Sequence, residues 1–215
     1  MHERQCSSVV VVNYTPNPVE HVSRIARTCY QSEQPDSYEE HEKLVRRLID
    51  RGHTAMIEFA SITFCIITDR GITHELVRHR IASFAQESTR YCNYKNKQMS
   101  FIKPKQDLSP AAYRIWKNHM IASEHAYKMM LDVGETPQIA RSVLPTSLKA
   151  EINFHVNMRS FRNFLGLRTA TDAHPMMVDV ARRCALLAFN CGFGPFIDDI
   201  VTLDWCERDG GVQCS

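Results

Sequence analysis

The distribution of apolar and polar residues along the chain divides it into short strands followed by longer helices. Residues 7–15, Ser-Ser-Val-Val-Val-Val-Asn-Tyr-Thr, are rich in β-branched side chains and predict a buried strand. Asn17-Pro18 then supplies a cap residue and a proline suited to a first helical turn, so a helix is predicted over 18–31. A second helix is predicted over 39–51, with Leu44, Leu48 and Ile49 facing inward and Gly52 ending it. Ile62, Phe64, Ile66 and Ile67 mark a strand over 58–69, which Arg70-Gly71 turns into a helix over 73–79. A strand over 98–104 precedes the longest helix, which Ser109-Pro110 opens and Gly134 closes; Tyr113, Trp116, Met120, Tyr127 and Leu131 form its apolar stripe.

Thr136-Pro137 caps a short helix that Pro145 must stop near Leu144. Residues 147–167 read as helical through Phe154, Met158, Phe161 and Leu165, and a last long helix is predicted over 175–191, before Gly192-Phe193-Gly194-Pro195. Regular strand-helix alternation is missing, which excludes a doubly wound sheet. The prediction is an α+β fold with an antiparallel or mixed sheet and a helical remainder, one catalytic domain over 1–215 with no repeats.

Composition narrows the function classes. In 215 residues, 26 Lys+Arg face 24 Asp+Glu, and 44% of the chain is apolar. That balance suits a chain that buries its own core, and it is too even for a nucleic-acid coat. No apolar run is long enough for a membrane span, and the N-terminal stretch does not fit a signal peptide, so a soluble, cytoplasmic protein is expected. The eight cysteines are scattered over a long chain and are read as reduced thiols. Pairs such as Cys184/Cys191 and Cys206/Cys214 lack zinc-ligand spacing, and no metal is expected. Arginine outnumbers lysine among the basic residues. Its planar fork holds phosphate or carboxylate at two points, so the bias favours discrete anion sites.

The phosphate-binding glycine signatures of dinucleotide and nucleotide folds are absent, as is the hydrolase Gly-x-Ser-x-Gly elbow, so any phosphate must be held by side chains. The densest candidate is Arg78-His79-Arg80-Ile81-Ala82-Ser83-Phe84-Ala85-Gln86-Glu87-Ser88-Thr89-Arg90-Tyr91, in which Glu87 is the only acid. Cations at a helix end account for Arg78 and Arg80, but not for the polar run that follows. A second cluster spans Asn157 to Arg168. On a helix, His155, Arg159 and Asn163 share one face, while Arg168 returns beside the apolar stripe, where a charge needs a partner or a ligand. Arg141 lies just before Pro145, and His53 and Glu58 follow Gly52. Two other chemistries fit the same residues: a Ser88 or Cys92 nucleophile activated by His79 or His53, and a nucleic-acid module in which arginines combine with Tyr91, Tyr94 and Phe101.

The run Arg78-His79-Arg80, seven residues and Ser88, followed by Arg90-Tyr91, resembles the signature of the flavin-dependent thymidylate synthases. Gly52-His53 with Glu58, Arg141 before Val143-Leu144-Pro145, and Asn157-x-Arg159-Ser160-x-x-Asn163-Phe164-Leu165-x-Leu167-Arg168 follow in the family's order. The resemblance implies a homotetramer with sites shared between subunits. It also implies FAD reduced by NADPH, and transfer of one carbon from 5,10-methylenetetrahydrofolate to dUMP. By matched position it implies His53, Ala55, Arg78, His79, Arg80, Gln86, Asn157, Arg159 and Asn163 as flavin contacts. The implied dUMP contacts are Glu75, Arg78, Gln86, Glu87, Ser88, Thr89, Arg90, Arg141 and Arg168, with Arg168 polarising the pyrimidine. Ala55, Glu75 and Ala85-Gln86-Glu87 depart from residues common in the family. Small-molecule nucleotide and folate partners are expected, with neither nucleic acid nor membrane.

Overall fold

The computed structural model describes residues 1–202 except Gln5, Tyr30 and Asp36. Cys206 and Cys214, read above as reduced thiols without zinc-ligand spacing, lie outside the described residues. In chain order the elements are β1 (His2–Arg4), β2 (Ser8–Tyr14), α1 (Pro18–Thr28), α2 (Tyr38–Asp50), a 3-10 turn (Met56–Phe59), β3 (Ser61–Asp69), α3 (Arg70–Leu76), β4 (Ser83–Gln86), β5 (Ser100–Ile102) and α4 (Pro110–Asp132). They continue with α5 (Pro137–Ala140), a 3-10 turn (Arg141–Val143), β6 (Lys149–Asn157), α6 (Met158–Arg168), α7 (Pro175–Ala188), a π-helical turn (Phe189–Phe193) and α8 (Gly194–Ile197). One sheet has the order β2-β3-β6-β4, and β1 pairs in parallel with β5, His2 opposite Ser100.

The residues group into two compact units, each assembled from separate stretches of chain. Among the described residues the first comprises stretches within 1–8, 66–78 and 85–152, and the second stretches within 9–65, 79–84 and 153–202. In the first, α4 buries Met120, Tyr127 and Leu131 against Met99, Phe101 and Leu148, so the stripe expected of the longest helix does form a core. In the second, the core is a set of phenylalanine rings. Phe154 stacks on Phe84 at 5.4 Å between centroids and meets Phe164 at 5.3 Å, while Phe64 meets Phe161 at 5.5 Å.

The largest departure from the sequence reading is β6. Residues 147–157 are not helical: Ala150, Ile152, Phe154 and Val156 are buried in strict alternation, the period of a strand with one covered face. Helical spacing begins only at Met158, and no turn separates the two elements. Asn157 ends the strand and caps the helix, its side-chain oxygen accepting a hydrogen bond from the Ser160 N–H at 2.9 Å. His155 therefore lies on the strand, hydrogen-bonded to Thr63 at 2.9 Å, and does not share a helical face with Arg159 and Asn163.

Smaller differences have equally local causes. Arg70-Gly71 does not form a turn outside the helix; α3 begins at Arg70 because the Asp69 carboxylate caps the Ile72 N–H at 2.7 Å. Glu58 belongs to a 3-10 turn and not to the following strand. Asn17 does precede α1, but its side chain makes no capping hydrogen bond and its backbone is left-handed, φ 45°. On α2 the buried positions are His41 and Val45, whereas Leu44, Leu48 and Ile49 are only half-buried. Cys6 is disulfide-bonded, contrary to the expectation of reduced thiols, while Cys29, Cys65, Cys92, Cys184 and Cys191 are in no disulfide.

Because Phe154 touches three other rings and is fully buried, Phe154→Ala removes contacts that the neighbouring rings cannot close over. The expected cost is about 3–5 kcal/mol. Urea unfolding of the two proteins checks it, as a fall in midpoint with little change in slope.

Candidate active site

In the second unit, the end of α6 meets the segment after α3. The Nε–H of Arg168 donates a hydrogen bond to Nε2 of His79 at 2.9 Å, joining two residues 89 positions apart. The imidazole is held from one edge by the ring of Phe164, 5.0 Å away in a T-shaped arrangement. Burial, and then the adjacent Arg168 cation, push the His79 pKa down to about 4. His79 is therefore neutral at physiological pH, as an acceptor of a guanidinium hydrogen bond must be. Arg78 and Arg80, on either side of it, are exposed, and their side chains make no hydrogen bond or ion pair among the described residues.

Further along the same unit, Arg159 in the first turn of α6 forms an ion pair with Glu58 at 2.6 Å. Both groups are about half exposed, so the pair is worth ~0–1 kcal/mol and acts mainly to place the guanidinium. Asn163, one turn along α6, is exposed. His53 is also exposed, two residues before Ala55, which precedes the 3-10 turn. Asn157 is committed through its oxygen to the α6 cap, which leaves its amide N–H groups for any ligand.

In the first unit, β4 carries the signature into a helical turn. Gln86, on the strand, donates from Nε2 to Thr73 Oγ1 at 2.8 Å. Beyond it, the Ser88 carbonyl accepts from the Cys92 N–H at 2.9 Å and the Ser88 hydroxyl from the Arg90 N–H at 3.3 Å. Thr89 is buried, and its hydroxyl accepts from Arg141 at 3.4 Å. Arg90 donates from Nε to Gln138 at 2.6 Å, with its guanidinium 5.3 Å from the Tyr91 ring centroid. Glu75 is half-buried on α3.

Glu87 accepts from the Tyr94 hydroxyl at 2.5 Å and pairs with Lys149 at 3.0 Å. Burial raises its pKa, but Tyr94 and Lys149 together outweigh burial and hold the carboxyl below its usual range. Burial, reinforced by Glu87, raises the Tyr94 hydroxyl well above the usual phenol range, so it remains a donor. Sequence reasoning missed Tyr94, Lys149, Gln138 and Thr73 as the residues that orient the signature. Nothing in local spacing reveals partners that come from other elements. Neither Ser88 nor Cys92 hydrogen-bonds a histidine among the described residues.

The depressed His79 pKa has a definite sign in stability. Between pH 6.5 and about 4 the unfolded chain protonates this histidine and the folded chain does not, so the contribution is full above pH 6.5 and is lost as the pH falls toward 4. His79→Gln removes the titration, and the urea midpoint of the variant is expected to fall less than that of the parent between pH 7 and pH 4.

The family model described as "Thymidylate synthase complementing protein" matches residues 10–189. A flavin-dependent thymidylate synthase from Pyrococcus furiosus is 35% identical over 185 residues, covering 80% of this chain and 75% of that protein. The fold matches the Helicobacter pylori flavin-dependent thymidylate synthase solved with FAD and dUMP, TM-score 0.74 at 24% identity over 91% of this chain and 100% of the other. It also matches a UMP/dUMP methylase from Streptomyces cacaoi solved with 5-Br dUMP, TM-score 0.77 at 24% identity over 91% and 96% of the two chains. The α+β reading of the sequence is thereby confirmed at the level of fold. With the matched segment running through both the Arg78-His79-Arg80 run and the Asn157–Arg168 motif, the chain belongs to the family of flavin-dependent thymidylate synthases.

Proposed function

We propose that this chain converts dUMP to dTMP, taking one carbon from 5,10-methylenetetrahydrofolate and two electrons from NADPH through FAD. The observation that carries the reading is the Arg168–His79 hydrogen bond, which ties the two motifs of the second unit to each other. The reaction balances as dUMP, 5,10-methylenetetrahydrofolate, NADPH and one proton giving dTMP, tetrahydrofolate and NADP+, with the hydride completing the new methyl group. When bound, FAD supplies the redox chemistry that no side chain can.

The donor set fits that cofactor. Arg78 and Arg80 offer unpaired guanidinium forks for a pyrophosphate in a chain without a glycine-rich phosphate loop. His79 separates them, so three consecutive residues supply two anion ligands and a neutral ring. Asn157, Arg159, Asn163, His53 and the backbone at Ala55 supply further polar contacts. For dUMP, Ser88, Thr89, Arg90 and Arg141 form a hydroxyl and guanidinium set suited to the phosphate, joined by Glu75, Gln86, Glu87 and Arg78. The role of Arg168 is electrostatic: beside a pyrimidine it stabilises negative charge that develops on the ring as C5 becomes nucleophilic. His79 is a positioning residue for Arg168, since it fixes the guanidinium through Nε. The assembly is a homotetramer acting in the cytoplasm on small-molecule nucleotide and folate. Among the described residues no helix is long and apolar enough to cross a membrane.

Three measurements check this reading. The protein incubated with FAD should show a flavin absorption band that survives gel filtration; a colourless protein overturns the proposal. Arg168→Ala should lower dTMP formation by on the order of 100-fold or more while FAD stays bound, whereas Cys92→Ala and Ser88→Ala retain turnover. Arg90→Ala should act chiefly on dUMP affinity.

A further inference from the structure

A second cationic surface lies in the second unit, between α1 and α2. It is a cleft of about 540 Å³ whose walls carry Arg27, Lys43, Arg47 and Arg51, with Glu40 the only acid among the described lining residues and His53 also in the lining. Its floor is Ala26, Leu44 and Leu48. The two leucines were expected in the core from the α2 pattern, and their half-burial is explained by their place here.

The charges of this cleft differ from most of the arginines around them. Elsewhere in the unit Arg24 pairs with Glu20, Arg46 with Glu42 and Asp198, Arg162 with Asp199 and Arg183 with Asp179. Lys43, Arg47 and Arg51 have no carboxylate or hydrogen-bond partner for their side chains among the described residues. Arg27 gives one N–H to the Glu33 carbonyl at 2.8 Å, while its Nε is buried with no partner. Lys43 and Arg47 stand one turn apart on α2, and Arg51 follows one turn later at its C-cap, a spacing at which like charges repel and weaken a helix. The negative end of the α2 dipole favours cations in its last turn and accounts for Arg47 and Arg51. It does not account for Lys43, a turn earlier, or for Arg27 on the facing helix. A bound polyanion accounts for all four, and the apolar floor suits a ligand with a non-polar body and anionic ends.

We infer that the cleft lined by Arg27, Lys43, Arg47 and Arg51 binds the anionic tail of a co-substrate, either the phosphates of a reduced nicotinamide dinucleotide or the glutamyl carboxylates of a folate. The identity of the tail rests on the proposed reaction; the anion site itself does not.

The test uses full-length protein saturated with FAD and dUMP, so that the phosphate sites of both are filled, with tripolyphosphate as probe in titration calorimetry. One tripolyphosphate should bind per chain, and Arg47→Glu and Lys43→Glu should each weaken it at least tenfold. Arg47→Gln, which keeps the helix and removes only the charge, should weaken it severalfold. In turnover, Arg47→Glu should raise one co-substrate KM about tenfold while kcat stays within twofold. A lost preference for NADPH over NADH assigns the tail to phosphate, and a lost preference for triglutamyl over monoglutamyl folate assigns it to carboxylate. Unchanged tripolyphosphate affinity in folded Arg47→Glu overturns the inference. So does an equal loss of bound FAD, which makes the cleft part of the flavin site, or a change in sedimentation, which makes it an interface between copies. A parent protein without dTMP formation whose tripolyphosphate binding still falls in Arg47→Glu overturns the proposed reaction and upholds the anion site.

Discussion

The hydrogen bond from Arg168 to His79 sets a condition that the surrounding structure has to meet. An imidazole nitrogen accepts from a guanidinium only while it is unprotonated, and a free histidine is partly protonated near neutral pH. The protein meets the condition by covering the ring: Phe164 packs against His79 at its edge, and burial together with the Arg168 charge disfavours the imidazolium. Phe164 is itself held by Phe154 and Phe161, so the neutral state of one histidine depends on the aromatic core of that unit. The result is an arginine that has a neutral ring as one of its hydrogen-bond partners.

The same choice recurs where the chain supplies anion ligands. Arg90 is steadied by the neutral Gln138 and the Tyr91 face, and Arg141 by the Thr89 hydroxyl. Guanidinium groups with structural duties are treated otherwise: Arg46 and Arg162 each grip an aspartate with two nitrogens. A carboxylate spends an arginine's charge, whereas an amide or hydroxyl fixes its direction and leaves the charge for a ligand. Arg159 is the intermediate case, with Glu58 as partner in a half-exposed pair that water screens.

Much of this was legible in the sequence, and the failures have identifiable causes. The cap and stop residues placed α1, α4 and α7, since proline and glycine act through the backbone and need no tertiary context. β6 was read as helix because Phe154, Met158, Phe161 and Leu165 fall at helical spacing, yet the alternation of Ala150, Ile152, Phe154 and Val156 was present in the same residues. Two periods abut at Asn157 with neither glycine nor proline between them, so a single window averages a strand into the helix that follows. The candidate residues of the signature were found by their order, but their partners Tyr94, Lys149, Gln138 and Thr73 are assigned only by pairing across elements.

The abrupt passage from β6 to α6 is also what connects fold to chemistry. A strand delivers its last residue at a fixed height on the sheet, and a helix starting there without a linker inherits both position and direction. Asn157 makes the change possible by satisfying the Ser160 N–H that the new helix would leave unpaired, and the Met158 N–H is taken by the Ala60 carbonyl. Three turns later the helix ends at Arg168, where the guanidinium meets His79. A loop of even two or three residues at this junction would add rotational freedom to every α6 side chain. The rigid junction therefore defines where the charge of Arg168 stands, and electrostatic catalysis depends on such fixed placement because a donor that must reorganise during reaction loses most of its effect.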